Sequence, residues 1–120
     1  MYTSEENAKG ELEIMEKLQL YLEPLLYQYH ADLNLFGHRH SYERSCPMYK
    51  SKCVSDGVTH VLLGMAGAGL DSGKYSGAAW SKYHDQQFGY TTIFVNQTYL
   101  HFTYYHDKDD GIADQFILHK

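Results

Sequence analysis

Positive charge, long apolar runs, cysteine and proline are all scarce in this 120-residue chain. There are 10 Lys and Arg against 15 Asp and Glu, a formal charge of −5, and the isoelectric point falls near 5.8. That balance lacks the basic surface on which phosphate-backbone or anionic-membrane binding depends, so neither nucleic acid nor a membrane is an expected partner. No apolar run approaches the roughly 20 residues needed to span a bilayer, and the first residues hold neither the basic nor the apolar part of a secretory leader. The two cysteines, Cys46 and Cys53, flank a polar stretch suited to a surface loop. A local disulfide fits their spacing and would imply an oxidising compartment; two free thiols are the alternative. As a zinc site the pair alone lacks ligands.

What is plentiful is tyrosine, with 12 residues, and histidine, with 8, in a chain that is 43% hydrophobic. That content argues against intrinsic disorder, and the length suits one domain burying roughly two-thirds of its unfolded surface. From Glu11 to about Tyr29, Ile14, Leu18, Leu22, Leu25 and Tyr29 recur at steps of three and four, the stripe of an amphipathic helix that Pro24 should kink or divide. Leu33–Phe36 reads as a short buried strand ending at Gly37, followed by a loop through Gly57 and a second apolar strand over Thr59–Leu63. Residues 64–79 are glycine-rich and irregular, a length of loop that is usually functional or mobile. After Phe88, strands are expected at 90–95, 99–105 and 112–118, joined across Asn96-Gln97-Thr98 and a turn at 107–111, which makes a three-stranded antiparallel meander.

Chemistry concentrates in Gly37-His38-Arg39-His40-Ser41-Tyr42-Glu43-Arg44, directly after the first strand. In extended backbone, residues i and i+2 share a face, so His38 and His40 would present two imidazoles at the strand's carboxyl end. An alternating His pair suits a two-metal hydrolase, since each ring can serve a different ion. The plainer alternative is a solvent-exposed His-x-His in a His-rich chain. Arg39 is a bidentate donor suited to a substrate phosphate, or a solvent-facing arginine. Asp71 and Asp85 are read as solvated loop aspartates, and the remaining histidines as structural or surface groups. The glycine stretch does not satisfy a nucleotide pattern: Gly67-Ala68-Gly69 lacks the third glycine, and Gly73-Lys74 is followed by Tyr75. Asn96-Gln97-Thr98 is an N-glycosylation sequon at an expected hairpin tip.

The octapeptide Gly37–Arg44, with Ser-Cys-Pro-Met-Tyr and a second cysteine after it, resembles the last metal motif of the purple acid phosphatases, members of the calcineurin-like metallophosphoesterase superfamily. Leu22-Glu23-Pro24-Leu25-Leu26 with Tyr29 and Asp32 is similar to the helix before that motif, and Thr59–Gly67 to the strand and turn after it. Phe88-Gly89-Tyr90 and Asn96-Gln97-Thr98 are similar to the family's C-terminal segment. The resemblance implies an α/β fold, α+β within this chain: the C-terminal part of a β-sandwich flanked by helices, ending in the meander. Residues 1–57 would close the catalytic domain, and 58–120 would form the C-terminal segment. It further implies an acid phosphatase that hydrolyses phosphate monoesters at acidic pH, secreted or vacuolar/lysosomal, with Fe(III) plus zinc, manganese or Fe(II) as cofactors. His38 would ligate the divalent ion and His40 the ferric ion. The family's Gly-Asp-x-x-Tyr, Gly-Asn-His and upstream Gly-His motifs have no counterpart here. Because Met-Tyr-Thr-Ser follows Gly-His-Arg-Pro in close relatives, the chain is expected to begin inside the catalytic domain and to lack activity alone. A non-catalytic folding or interaction module is the second expectation, and oligomeric state stays open.

Overall fold

The computed structural model describes residues 1–6 and 9–120. Its first elements are helix α1 (Lys9–Tyr21) and helix α2 (Glu23–Gln28). Pro24 stands in the first turn of α2, where its missing N–H costs nothing, so one periodic stretch becomes two helices meeting at Leu22. The apolar stripe does not meet the core as its period suggests. Ile14, Leu18, Leu22, Leu25 and Tyr29 are all exposed, Tyr29 at 76%. The helical layer is held instead by Leu26, which packs on the core, and by the buried carboxylate of Glu23, which accepts a 2.6 Å hydrogen bond from the Tyr2 hydroxyl.

Strand β1 (Leu33–Phe36) forms where expected but is not buried as its apolar run suggests: it lies at the sheet edge with Leu35 exposed, and it runs parallel to β4 (Val58–Leu63), with Leu33 beside Thr59 and Phe36 beside Leu62. Between them in sequence lies the largest departure from expectation. The stretch read as a loop contains β2 (Tyr42–Tyr49) and the short β3 (Lys52–Cys53), and β2 is the centre of the sheet. One edge of β2 pairs with β4; the other takes β3 at one end and β5 (Ser81–Asp85) at the other. Glu, Arg, Ser and Pro are poor strand formers, which hid β2 from propensity. The fold accommodates them by shifting register between Arg44 and Pro47, a bulge that leaves Pro47 at the surface, and by bonding every buried polar group. The Glu43 carboxylate accepts bonds from the Ser4 amide at 2.8 Å, the Ser4 hydroxyl and the Ser81 hydroxyl. The Ser45 hydroxyl accepts the His60 N–H at 2.9 Å.

The meander forms as read, from β6 (Gly89–Val95), β7 (Tyr99–His106) and β8 (Ile112–His119). Its inner face closes on the first sheet around Tyr42, Val61, Met65, Phe102 and Tyr104, with the Tyr42 and Tyr104 rings stacked at 4.2 Å. Two polar contacts fasten the sheets together. Asp114 accepts bonds from the Tyr42 hydroxyl at 2.8 Å and from Arg44 at 2.7 and 2.8 Å. Asp85 pairs with His106 at 2.5 Å, so it is not the solvated aspartate its sequence context suggests. On the opposite face of the first sheet, Met1, Tyr2, Cys46 and Met48 form a second cluster under the helices. The molecule is therefore α+β, with a helical layer, a mixed five-stranded sheet and an antiparallel three-stranded sheet. Among the described residues, only β1 and β4 pair in parallel.

Candidate metal centre

His38, Arg39 and His40 lie in the bend between β1 and β2, at the carboxyl end of β1. The backbone there is not extended. His38 has φ 92°, a left-handed conformation that costs a bulky residue energy and persists only where surrounding contacts enforce it. The i, i+2 rule of a strand therefore does not govern how the two rings are presented; the clamp around them does.

That clamp is the glycine-rich stretch after β4. The Gly64 amide donates to the Ser41 carbonyl at 3.0 Å, and a β-carbon on Gly64 would overlap the carbonyl oxygen of Arg39, so only glycine allows this approach. Further along, the Asp71 amide donates to the His40 carbonyl at 3.0 Å, while the His40 amide donates to the Asp71 carboxylate at 2.8 Å. The His40 ring is tied by the same segment: Nδ1 lies 2.7 Å from the Gly69 carbonyl. A carbonyl only accepts, so Nδ1 carries a proton, and Nε2 is the ring nitrogen on which a neutral tautomer would hold its lone pair. This is the support a metal-binding imidazole ordinarily has. Sequence reading gives Gly69 no role and takes Asp71 for a solvated loop aspartate, whereas Asp71 partners the His40 amide and Arg39, through contacts that no motif spacing encodes. Their only signal was an irregular glycine-rich stretch too long to be a plain connector.

Arg39 is the hub of the bend. Its side chain is 16% exposed, and its guanidinium meets Glu5 at 2.8 Å, Glu11 at 2.6 Å and Asp71 at 3.1 Å. Burial works against its charge, but the hydrogen bonds to Glu5 and Glu11 outweigh that, holding the pKa above the usual arginine value. The Glu5 side chain is fully buried and also accepts the Gly73 amide at 2.8 Å. A phosphate reaching Arg39 would have to compete with three carboxylates. His38 is the freer ring, 69% exposed, with Nε2 3.9 Å from Glu11. Beside it opens a cavity of about 460 Å³, floored by Ile14, Met15, Leu18 and Phe36. Among the described residues, no three His, Cys, Asp or Glu side chains stand together as a metal-holding group. Cys46 and Cys53, also singled out in the sequence, are joined as a disulfide that closes the β2–β3 hairpin. Asn96 lies apart at the β6–β7 tip.

Comparison with known proteins shows which family the chain resembles. The family described as iron/zinc purple acid phosphatase-like protein C matches residues 57–115. A purple acid phosphatase isolated from yellow lupin (Lupinus luteus) seeds superposes on 99% of the chain with a TM-score of 0.78 and 25% identity. The chain belongs to the purple acid phosphatase family. What it carries is the C-terminal region of a purple acid phosphatase, for it covers only 23% of the lupin chain. A barley (Hordeum vulgare) nucleotide pyrophosphatase/phosphodiesterase is 34% identical over 82% of this chain, which spans 30% of that protein. An Arabidopsis thaliana protein named probable inactive purple acid phosphatase 1 is 31% identical over 82% of this chain, which spans 18% of it.

Proposed function

We propose that this chain supplies the His-x-His segment of a dinuclear-metal phosphatase that hydrolyses phosphate monoesters at acidic pH, with His38 serving the divalent ion and His40 the ferric ion. One observation carries the reading: His40 is anchored at its amide, its carbonyl and Nδ1 by the 69–71 segment, so that Nε2 is the one ring position left to ligate. Residues 1–57 then close the catalytic domain and residues 58–120 brace it from the C-terminal side.

The donors present do not by themselves fit two metal ions. Two imidazoles offer no negative charge to offset an Fe(III)–Zn, Fe(III)–Mn or Fe(III)–Fe(II) pair, and the nearby carboxylates Glu5, Glu11 and Asp71 are committed to Arg39. No hydrolytic step is therefore assigned to these residues alone. The carboxylates that complete the centre are expected from elsewhere in the catalytic domain, and a phosphate monoester is the substrate. The Cys46–Cys53 disulfide supports a secreted or vacuolar/lysosomal setting, because such bonds persist where the medium is oxidising. A non-catalytic module is the second reading, favoured by the same incomplete donor set and by the relative named as inactive.

The test is hydrolysis of p-nitrophenyl phosphate by the purified chain at acidic pH with added iron and zinc, together with a zinc titration. Weak zinc binding that His40→Ala abolishes, without turnover, is the expected result. Turnover that His40→Ala abolishes would show that the chain completes a centre by itself. Zinc binding unaffected by both His38→Ala and His40→Ala would remove the ligand assignment.

A further inference from the structure

Strand β8 pairs with β7 on one side, and among the described residues its other edge has no strand beside it. Open edges are ordinarily blunted by lysine, proline or a bulge. Ile112–His119 holds no lysine or proline, and its one acidic side chain, Asp114, is spent on Tyr42 and Arg44. The shift of register against β7 lies at the start of the strand, beside Ile112, so pairing from Asp114 to His119 is regular. A run of this kind offers its outward N–H and C=O groups to another extended chain.

The surroundings of the edge say what that chain should look like. Beside it lies a groove of about 490 Å³, walled by Phe116 and Leu118 of β8, Pro47 of β2 and Lys82 of β5, with Arg44 reaching in. Arg44 gives Nε and Nη2 to Asp114 at 2.7 and 2.8 Å, and Nη1 makes no such bond among the described residues. Among those residues no carboxylate lines the groove, although the chain as a whole carries a formal charge of −5. The other face of the same strand is apolar and uncovered, with Ile112 56% and Ile117 50% exposed. Successive side chains of an added strand point to opposite faces. One set would therefore meet the cations of the groove and the other Ile112 and Ile117.

We propose that β8 is the docking edge for an extended segment of a partner protein in which acidic and apolar residues alternate. The acidic set faces Lys82 and Arg44, the apolar set covers Ile117, and main-chain hydrogen bonds to β8 carry the pairing.

The probe is a fluorescein-labelled octapeptide of alternating Glu and Val, titrated with the full chain and followed by anisotropy. Saturable binding is expected, weakened about tenfold by Lys82→Glu and kept by Lys82→Arg. Lys17→Glu, on the exposed side of α1, makes the same change in net charge and should leave the affinity unaltered. Hydrogen exchange of the complex should show new protection within Asp114–His119. Absence of saturable binding, equal loss in Lys82→Glu and Lys17→Glu, or new protection confined to other strands overturns the proposal. Equally tight binding of an octapeptide of alternating Lys and Val overturns it too. Sedimentation showing that the peptide-free protein is associated, and that Ile117→Lys releases it, would make a second copy the occupant of the edge and overturn the acidic partner.

Discussion

His60 shows how one residue responds to the layers around it. It is 1% exposed on β4, with Nδ1 3.0 Å from the Asn34 side-chain amide and its ring edge-on to Tyr2 at 5.1 Å. Asn34 donates to Nδ1, so the proton sits on Nε2, which is buried without a hydrogen-bond partner. Burial, with help from the nearby N-terminal charge, pushes the His60 pKa down to about 4 from 6.5. Burial likewise lowers the Met1 amine to about 5 from 8.0. Both groups bind protons more readily unfolded than folded, so between the two pKa values of each group stability rises with pH and is lost as pH falls. For His60 the window is 6.5 down to about 4, and the full loss is about 3 kcal/mol. Urea unfolding at neutral pH and again near the lower limit of that window should show the drop. His60→Phe should flatten it, and an unchanged slope in that variant would refute the assignment.

Among elements, β2 and its hairpin partner β3 decide how the His-x-His bend is supported. β2 begins immediately after the bend and is held by three other strands, but β3 contributes only two residues, Lys52 and Cys53. Lys50 and Ser51, between β2 and β3, both have positive φ, a turn that hydrogen bonds from Lys50 to Glu23 and from Ser51 to Tyr2 tie to the N-terminal layer. The disulfide closes this ring of short sequence separation, for which restriction of the unfolded chain is worth about 2 kcal/mol. Replacing both cysteines by serine should lower stability by about that amount. The loss should be larger if the buried Cys46 position tolerates the serine hydroxyl poorly. Chemical denaturation of the two proteins measures it, and equal midpoints would mean that strand pairing alone holds β3.

For the whole molecule, the main feature is an imbalance between its two sheet faces. Between the sheets the core is closed, and β4 is buried along most of its length by the chain's own strands. On the helical side, Leu18, Leu22, Leu25 and Tyr29 stay exposed, and Leu35 on the open edge strand β1 is exposed as well. An apolar face beside an unpaired strand edge favours association. The isolated chain should therefore self-associate and unfold at modest temperature. Leu18→Glu combined with Leu25→Lys should shift size-exclusion profiles toward monomer without lowering the unfolding temperature, because neither side chain is in the core. A monomeric wild-type chain with a cooperative transition above about 60 °C would show that the open face carries no such cost.

Local patterns in the sequence determined a good deal: the helical period and its break at Pro24, the apolar strands β1 and β4, the meander, the close cysteine pair and the His-x-His motif. Each is encoded within a few residues, by periodicity, by a missing N–H or by spacing. The tertiary structure alone decided the rest. β2 and β5 are strands because buried partners satisfy polar residues that disfavour a strand locally: Ser4 and Ser81 for Glu43, Asp114 for Arg44. Asp71 and Gly69 became the supports of His40, and Arg39 the junction of three carboxylates, through contacts some 30 residues apart in sequence. The helical stripe, legible as amphipathic, faces outward because amphipathicity specifies that a face needs cover and not which surface provides it.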